Sequence, residues 1–340
     1  MTSAPSSSGL LLSLCVPTYN RASLLAQALG AILAQVTPTM AGLVEVVVLD
    51  NASPDQTPAV VEKAIADFPE AALRYVRRPE NIGCDANFTD APNQAAGEFV
   101  YLLSDDDVLL PGAVARLLGL LQAHPTLDSV ALNTRPFRNT PDEPTFGVYK
   151  LSSDRLLPDR DQALLLLGAH LTFISCIAFR RANVLGRDYV GRYDTNLAQA
   201  YMFLDALAPG HGLYVVQQPY LAQRTDNNEG FDFFRVFVTN FHALMHHAQE
   251  IGYAPEAVRK LLTRHLRFLC YFIGVFKTNG AIGTIRPNYL DALRRIFRAY
   301  GVHPVLLLVM VPMMLTPRFV YAALFQRLLA VVKAARPVTS

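Results

Sequence analysis

The sequence has little charge and few cysteines. Of its 340 residues, 17% are charged and 51% are hydrophobic, with 22 prolines and 19 glycines. This composition excludes disordered, collagenous and disulfide-stapled proteins, and the length suits about two domains with a large core. The charged fraction is below the roughly 25% of an average soluble protein. This predicts that part of the protein surface is apolar and is covered by another molecule or by a membrane. A membrane surface is the first candidate.

The cysteines are too far apart for a zinc site or a redox dithiol. They are Cys15, Cys84, Cys176 and Cys270. We interpret them as buried thiols in a reducing compartment. Residues 1–9 contain no basic side chain, and the apolar run 10–16 ends in Pro17-Thr18-Tyr19-Asn20 instead of a small-residue cleavage site. No secretory signal is recognised, which favours the cytoplasm.

Glycine-based nucleotide fingerprints are also missing. No Gly-x-Gly-x-x-Gly follows the first apolar run, and no Gly-x-x-x-x-Gly-Lys-Ser/Thr occurs. Because those motifs hold dinucleotides and nucleoside triphosphates, both kinds of site are excluded. Any phosphate must be bound in another way.

The first 133 residues alternate short apolar runs with longer amphipathic segments. The predicted strands are 10–16, 44–49, 73–76 and 99–103. The predicted helices are 22–35, 57–68, 85–96 and 112–123. Such alternation predicts an α/β fold with a mostly parallel sheet and flanking helices. Ligands of open sheets of this kind bind beyond the carboxyl ends of the strands.

Each predicted strand ends in polar residues, and these ends should meet at one edge of the sheet. The polar segments are 17–21, 50–53, 77–81 and 104–107. The last contains three consecutive carboxylates, Asp105, Asp106 and Asp107, which repel one another unless a cation lies among them. Hard oxygen ligands suit Mg²⁺ or Mn²⁺. The alternative is a solvated acidic turn or a helix cap ahead of Pro111.

Four motifs in this order resemble the nucleotide-sugar-dependent glycosyltransferases of family 2, which have the GT-A fold. They read VPTYNR, VVVLDNASPD, NIGCDANF and GEFVYLLSDDDVLLPGAV, and they span about residues 10–123. Gly83–Asn87 and the aspartate triplet are most similar to the abequosyltransferase-like sugar transferases of bacterial O-antigen and polysaccharide synthesis. The resemblance implies a Rossmann-like GT-A domain and metal-dependent, inverting transfer of a hexosyl or deoxyhexosyl group (EC 2.4) from a nucleoside diphosphate sugar.

The resemblance also implies roles for individual residues. The implied nucleotide-sugar-binding residues are Pro17, Thr18, Tyr19, Arg21, Asp50, Asn51, Ser53, Asp85 and Asp105. Thr18, Tyr19 and Arg21 would line the nucleoside pocket and Asp50 would reach the base, although Tyr19 could equally be a core residue.

Aligning the family's Asp-x-Asp (DXD) motif on Val108–Pro111 makes Asp106 the first ligand of Mg²⁺ or Mn²⁺, followed by Asp107. Strand alternation alone would pair Asp105 with Asp107.

Two departures from the family pattern concern the nucleotide and the catalytic base. Ala86 stands where members often have an arginine, and Asp85 or Arg21 are candidates to replace it. The acidic pair expected in the second half is replaced by Leu197-Ala198-Gln199-Ala200. Asp194 is the nearest loop carboxylate and our candidate general base. A surface helix cap is the alternative for Asp194.

Other acids compete with Asp194 for the role of base, namely Asp188, Asp205 and Asp226. The missing pair and Ala86 also leave a second function open, a catalytically inactive nucleotide-binding scaffold of the same fold.

The last 90 residues differ from the rest in charge. Residues 251–340 contain 13 Lys or Arg against Glu256 and Asp291, a net charge of +11, whereas the whole chain carries +2. Apolar residues at helical spacing predict a helix with a basic side over 258–272. The apolar stretch 305–332 favours a membrane surface over nucleic acid, and its prolines argue against a spanning helix. Packing on the protein's own body is the alternative.

These observations together predict the organisation of the chain. We expect a nucleotide-sugar-binding half (1–133) and an acceptor-side half (134–250) of a GT-A domain, then a mainly helical C-terminal region (251–340). The expected partners are the donor, a glycan or lipid-linked glycan acceptor, and the cytoplasmic face of the inner membrane through residues 251–340. No nucleic-acid partner is expected.

Overall fold

The computed structural model describes residues 9–138, 140–141, 147–225, 231–281 and 285–321. This part of the chain forms two compact units. The described residues within 1–227 and 247–258 form the first unit, and those within 228–246 and 259–340 form the second. The first unit contains a nine-stranded sheet.

The strands are β1 (Leu12–Thr18), β2 (Val44–Asp50), β3 (Leu73–Arg77), β4 (Phe99–Leu102), β5 (Val108–Leu109), β6 (Ser129–Phe137), β7 (Arg155–Leu157), β8 (Ala178–Arg180) and β9 (Leu213–Arg224). The helices are α1 (Ala22–Leu33), α2 (Thr57–Asp67), α3 (Cys84–Thr89), α4 (Ala91–Gln94), α5 (Ala113–Ala123), α6 (Arg160–Leu167), α7 (Ala198–Leu207), α8 (Phe241–Glu250), α9 (Pro255–Asn279), α10 (Tyr289–Tyr300) and α11 (Val311–Leu315). Single 3₁₀ turns lie at Pro38–Met40, Gly168–Thr172, Arg181–Asn183 and Val190–Arg192, and π-helical turns at Arg235–Asn240 and Leu306–Met310.

The predicted β-α alternation of the first half is confirmed. β3, β2, β1 and β4 are adjacent in this order and all pair in parallel. Every residue of β1, β2 and β4 is buried, as expected for mainly apolar strands covered on both faces. The polar residues inside β1 and β2 satisfy each other, since the Ser13 hydroxyl donates to Glu45 Oε1 at 2.6 Å. The single helix predicted over 85–96 is instead two, because Pro92 lies in the first turn of α4.

The complete sheet is mixed. β8 pairs antiparallel with both β4 and β6, and β9 pairs parallel with β6. The short strand β5, which the sequence did not indicate, pairs antiparallel with β9. The first four strands along the chain are therefore all parallel, whereas the second half of the domain extends the sheet with both antiparallel pairs and the parallel pair β6–β9.

The second unit is helical. The predicted helix over 258–272 is confirmed as the middle of α9. Pro312 does not end the helical segment before it, because a π-helical turn precedes α11 and Pro312 lies in the first turn of that helix. Leu306 and Met310 pack in the core of the unit. No helix in the described part of the chain is both long and apolar enough to cross a membrane.

The cysteines differ in burial. Cys15 and Cys176 are buried as predicted, Cys270 is half-buried and Cys84 is exposed. The prediction is wrong for Cys84 because this residue begins α3 next to Gly83, among exposed residues of the loop at the sheet edge.

A close backbone approach holds β1 against the start of β4. A Cβ atom on Gly97 would lie 2.8 Å from the Ser13 backbone nitrogen and 2.9 Å from the Leu12 carbonyl carbon. We therefore expect Gly97→Ala to lower the free energy of unfolding by about 1–3 kcal/mol, because rigid backbone must move to make room. Urea unfolding measures this change.

Gly119 is a matched control. It is an exposed residue of α5, and apart from its chain neighbours and the backbone of its own helix no atom lies within 4 Å of its Cβ position. Gly119→Ala should stabilise the protein by about 0.5–1 kcal/mol, because alanine is the better helix former. Equal changes in the free energy of unfolding for the two substitutions would contradict the conclusion that the backbone of β1 leaves no room for a Cβ atom at Gly97.

Candidate active site

The ends of β1 and β4 carry the first part of the site. The Thr18 hydroxyl donates to Asp105 Oδ2 at 2.7 Å, and Arg21 Nη1 donates to Asp105 Oδ1 at 3.1 Å. Arg21 Nη1 also lies 3.7 Å from Asp106 Oδ2. Because β1 and β4 are parallel neighbours, the first and fourth motifs meet at one edge, as the sequence predicted.

The aspartates of the triplet have different surroundings. Asp107 is 4% exposed and accepts hydrogen bonds from Ser175 Oγ at 2.7 Å and from the Arg224 backbone N–H at 3.1 Å. The side chain of Asp106 is 13% exposed, whereas that of Asp105 is 5% exposed. Asp106 is therefore the more open of the two acids next to Arg21.

Burial makes ionisation of two acids of the triplet less favourable. Burial is the largest cause that raises the pKa of Asp105 to about 6, and the Arg21 guanidinium opposes this rise. Burial also raises the pKa of Asp107 well above its usual value, and the charge of Asp106 adds to it. A cation at this edge would stabilise the ionised carboxylates.

The residues present fit a divalent cation that takes most of its ligands from a substrate. Among the described residues, no three His, Cys, Asp or Glu side chains are grouped to hold a metal ion. Mg²⁺, however, is usually bound by one or two carboxylates together with substrate phosphates. Asp106, which also accepts a hydrogen bond from the Ser104 hydroxyl at 2.5 Å, offers such a carboxylate.

The end of β2 is organised around a buried acid. Asp50 is 0% exposed, and it accepts hydrogen bonds from the Tyr75 hydroxyl at 2.5 Å and the Ser53 backbone N–H at 2.8 Å. Arg77 Nε lies 3.5 Å from Asp50 Oδ2. The Ser53 hydroxyl in turn accepts from the Asn20 backbone N–H at 3.0 Å, which joins the loops after β1 and β2.

Pro17, Tyr19 and Asn51 lie at the same edge. Tyr19 is 43% exposed, so the alternative of a core tyrosine is wrong. Asn51 accepts from the Ile82 backbone N–H at 2.9 Å and donates to Asn81 Oδ1 at 2.8 Å, which ties the second motif to the third. Pro17 is buried within β1.

Asp85 contacts a different part of the fold from the other predicted residues. Its Oδ2 accepts from the Asn196 backbone N–H at 2.8 Å, and its Oδ1 accepts from the Ala198 N–H at 3.1 Å. Asp194 is exposed on the same turn, and its charge acts on Asp85. The structure thus brings the third motif to the turn that carries the candidate base.

The rival acids have other surroundings. Asp205 is 3% exposed and accepts from the Tyr189 hydroxyl at 2.9 Å. Asp188 is exposed and accepts from the Val190 backbone N–H at 2.8 Å, within its own turn. Asp226 lies outside the described residues.

Three residues that hydrogen-bond to the buried acids Asp107 and Asp50 were not indicated by the sequence. Ser175 and Arg224 support Asp107 from 68 and 117 residues away. No local pattern encodes such a pairing. Tyr75 could have been found, because it lies on β3, the parallel neighbour of β2, two residues before the polar strand end.

The fold and part of the sequence are similar to known proteins. Residues 1–349 of S. aureus TarS, solved in complex with UDP-GlcNAc, give a TM-score of 0.56 at 18% identity, covering 93% of this chain and 92% of that one. This likeness agrees with the GT-A fold predicted from the sequence.

Two bacterial relatives are similar in sequence. Abequosyltransferase RfbV of Salmonella typhimurium is 25% identical over 235 residues, which are 64% of this chain and 68% of that protein. The GalNAc(5)-diNAcBac-PP-undecaprenol beta-1,3-glucosyltransferase of Campylobacter jejuni is 36% identical over 108 residues, which are 32% of this chain and 33% of that protein.

The family model described as glycosyl transferase family 2 matches residues 13–185, about half of the chain. This range includes all four motifs and the joined ends of β1, β2 and β4. The chain therefore belongs to glycosyl transferase family 2.

Proposed function

We propose that the chain transfers a hexosyl or deoxyhexosyl group from a nucleoside diphosphate sugar to a hydroxyl of a glycan acceptor in bacterial polysaccharide or O-antigen synthesis. The observation that carries this proposal is the joining of Thr18, Arg21 and Asp105 at the ends of β1 and β4, within the region that the family model matches. The names of the abequosyltransferase relative and of the UDP-GlcNAc complex support a nucleotide-sugar donor.

The diphosphate of the donor would lie against Arg21 and Asp106. Asp106, with Asp107 beside it, would hold Mg²⁺ or Mn²⁺, which supplies positive charge to the leaving nucleoside diphosphate. The Arg21 guanidinium can donate to the same phosphate oxygens from its place next to Asp105. Thr18 and Asp105 would face the ribose.

The nucleoside would lie beside the ends of β1 and β2. The ring of Tyr19 is exposed and suits stacking on the base. Because no part of Asp50 is exposed, we assign this residue to holding Arg77 and Tyr75 next to the base rather than to direct contact. Pro17, Asn51 and Ser53 fix the backbone around this pocket.

Asp194 would act as general base in an inverting displacement. Its carboxylate would accept the proton of the acceptor hydroxyl while the oxygen bonds to the anomeric carbon and the bond to the diphosphate breaks. The residue is exposed at the turn before α7, where an acceptor can approach it.

The second candidate function is an inactive nucleotide-binding scaffold. The observation that favours it is the first turn of α7, which contains no acidic residue. An active enzyme would turn over at least one donor when an acceptor hydroxyl is supplied, and a scaffold would bind nucleotide without turnover.

The metal assignment predicts the effect of removing one carboxylate oxygen at Asp106. We expect Asp106→Asn to lower turnover by about 100-fold or more, because a charge on the leaving group is left unbalanced. The Mn²⁺-dependent part of UDP, GDP, CDP or dTDP binding, measured by calorimetry, should be lost as well.

Asp67→Asn is the matched control, since Asp67 is exposed at the end of α2 and pairs with Lys63 of the same helix. It should bind and turn over like the wild type. Full activity and unchanged Mn²⁺ dependence in Asp106→Asn would remove Asp106 from the metal site.

The surface of the second unit has exposed apolar and basic side chains that favour contact with a membrane. Val302, Leu308, Leu315 and Phe319 are each 70–78% exposed, although they are large and apolar. Exposed basic side chains, including Arg298 and Arg318, lie in the same unit. Apolar side chains with basic neighbours match the physics of helices that lie in the interface of anionic membranes.

We therefore propose peripheral contact with the cytoplasmic face of the inner membrane through the region 251–340. Such contact would bring a lipid-linked glycan acceptor within reach of the enzyme. The relative from C. jejuni, which has PP-undecaprenol in its name, supports an acceptor of this kind.

This proposal predicts that two substitutions together weaken membrane binding. Leu308→Glu with Phe319→Glu should lower partitioning onto vesicles of phosphatidylglycerol and phosphatidylethanolamine by at least about 10-fold, because each wild-type side chain gains about 1.5–3 kcal/mol from burial. Co-sedimentation with vesicles measures the effect.

The matched control is Val190→Glu, because Val190 is 64% exposed but belongs to the first unit. It should leave partitioning unchanged. Unaltered binding of the Leu308→Glu, Phe319→Glu variant would show that this surface does not contact the bilayer.

A further inference from the structure

The carboxylate of Asp85 is used entirely inside the protein. Asp85 is 3% exposed and lies in the first turn of α3. Its two oxygens accept from the backbone N–H groups of Asn196 and Ala198, which are 111 and 113 residues away in the sequence. A side chain from the third motif thereby fixes the turn that precedes α7.

The bond to Ala198 caps α7 from another element. Ala198 is the first residue of the helix, so its N–H has no partner within the helix. Leu197 at the N-cap has no side chain that could accept this hydrogen bond. Asp85 supplies the missing acceptor and places a negative charge at the positive end of the helix.

The turn that Asp85 holds has an uncommon backbone conformation. Asp194 and Asn196 have φ angles of +64° and +56°, in the left-handed region that asparagine and aspartate adopt more readily than other non-glycine residues. The Asn196 amide also donates to Cys84 Sγ at 3.6 Å, next to Asp85. The turn is therefore held by its contacts with α3 together with the hydrogen bonds that the Thr195 hydroxyl makes within the turn.

The charge of Asp85 and the shape of the turn depend on each other. Burial raises the pKa of Asp85, and the charge of Asp194 adds to this rise, while the backbone N–H groups of Thr195, Asn196 and Ala198 oppose it. If the turn moved away, the Asp85 carboxylate would lose these donors.

We propose that Asp85 is a positioning residue for the transfer reaction. Its carboxylate holds the turn 194–198 in the conformation that presents Asp194 to the acceptor hydroxyl. This inference rests on the proposed function and on Asp194 as the base. It assigns Asp85 to the acceptor side of the reaction, whereas the sequence suggested a contact with the nucleotide sugar.

The test is a double-mutant cycle with Asp85→Ala, Asp194→Asn and the double variant. Donors are UDP-, GDP-, CDP- and dTDP-hexoses and acceptors are octyl glycosides, with transfer measured as nucleoside diphosphate release that depends on the acceptor. We expect Asp85→Ala to lower kcat by about 10- to 100-fold, as misplacement of a reacting group by about 1 Å does. Its affinity for the nucleoside diphosphate should stay within about 2-fold of wild type.

The effect should depend on Asp194. In the Asp194→Asn background, Asp85→Ala should cost less than about 3-fold, because residues that act through one another are not additive. Asp85→Asn should recover part of kcat, since its amide oxygen can still accept one of the two backbone bonds. It also keeps the test valid if the alanine variant does not fold.

The control is Asp159→Ala. Asp159 caps α6 in the same unit, where its side chain accepts from the Gln162 N–H at 2.8 Å. Loss of this cap should lower stability by about 1 kcal/mol and leave kcat unchanged. If kcat fell as much in this variant as in Asp85→Ala, the effect of Asp85 on kcat would be explained by lower stability alone.

Two other results would overturn the inference while leaving transferase activity intact. One is weaker nucleotide binding with unchanged kcat in Asp85→Ala, which would return Asp85 to the donor pocket. The other is a kcat of the double variant that falls by the product of the factors measured in the two single variants. Failure of the proposed function looks different, because the wild type would then bind nucleoside diphosphate and release none from any donor when acceptor is added.

Discussion

A buried carboxylate is stable only when hydrogen-bond donors satisfy it, and this constraint organises the candidate site. Four acids there are 4% exposed or less, namely Asp50, Asp85, Asp105 and Asp107. Each accepts hydrogen bonds from another strand, loop or helix start. Satisfying them joins β1 to β4, β2 to β3, and α3 to the turn before α7. Asp106 alone of the triplet keeps a more open side chain.

The sequence predicted the first half of the fold well because the information there is local. Apolar runs bounded by polar residues indicate fully buried strands, and parallel pairing brings their ends together. The partners of Asp107 could not be predicted in this way. Ser175 follows a 3₁₀ turn and Arg224 ends β9, and both reach Asp107 only because β8 and β9 join the sheet as they do.

The composition of the C-terminal region predicted helices and basic charge, but not how each side chain is used. Lys277 is 4% exposed, and its ammonium donates to the carbonyl oxygens of Met314 and Thr316 at the end of α11. This cation therefore satisfies backbone groups that a helix end leaves without partners. Net charge alone cannot separate such a residue from exposed Arg318, because the difference arises only when α9 and α11 pack together.

Left-handed backbone conformations in the first unit are concentrated where the site loops turn. Among the described residues, the non-glycine positions with positive φ are Asn20, Ala52, Asp194 and Asn196. Asn20 follows β1 and is held by Ser53, and Asn196 is held by Asp85. Asparagine adopts this region more readily than other non-glycine residues, and the surrounding hydrogen bonds select it over the other conformations open to an isolated chain. Loops fixed in this way before a ligand arrives do not have to be ordered when it binds. The conformational entropy of these loops is therefore lost on folding and does not weaken binding.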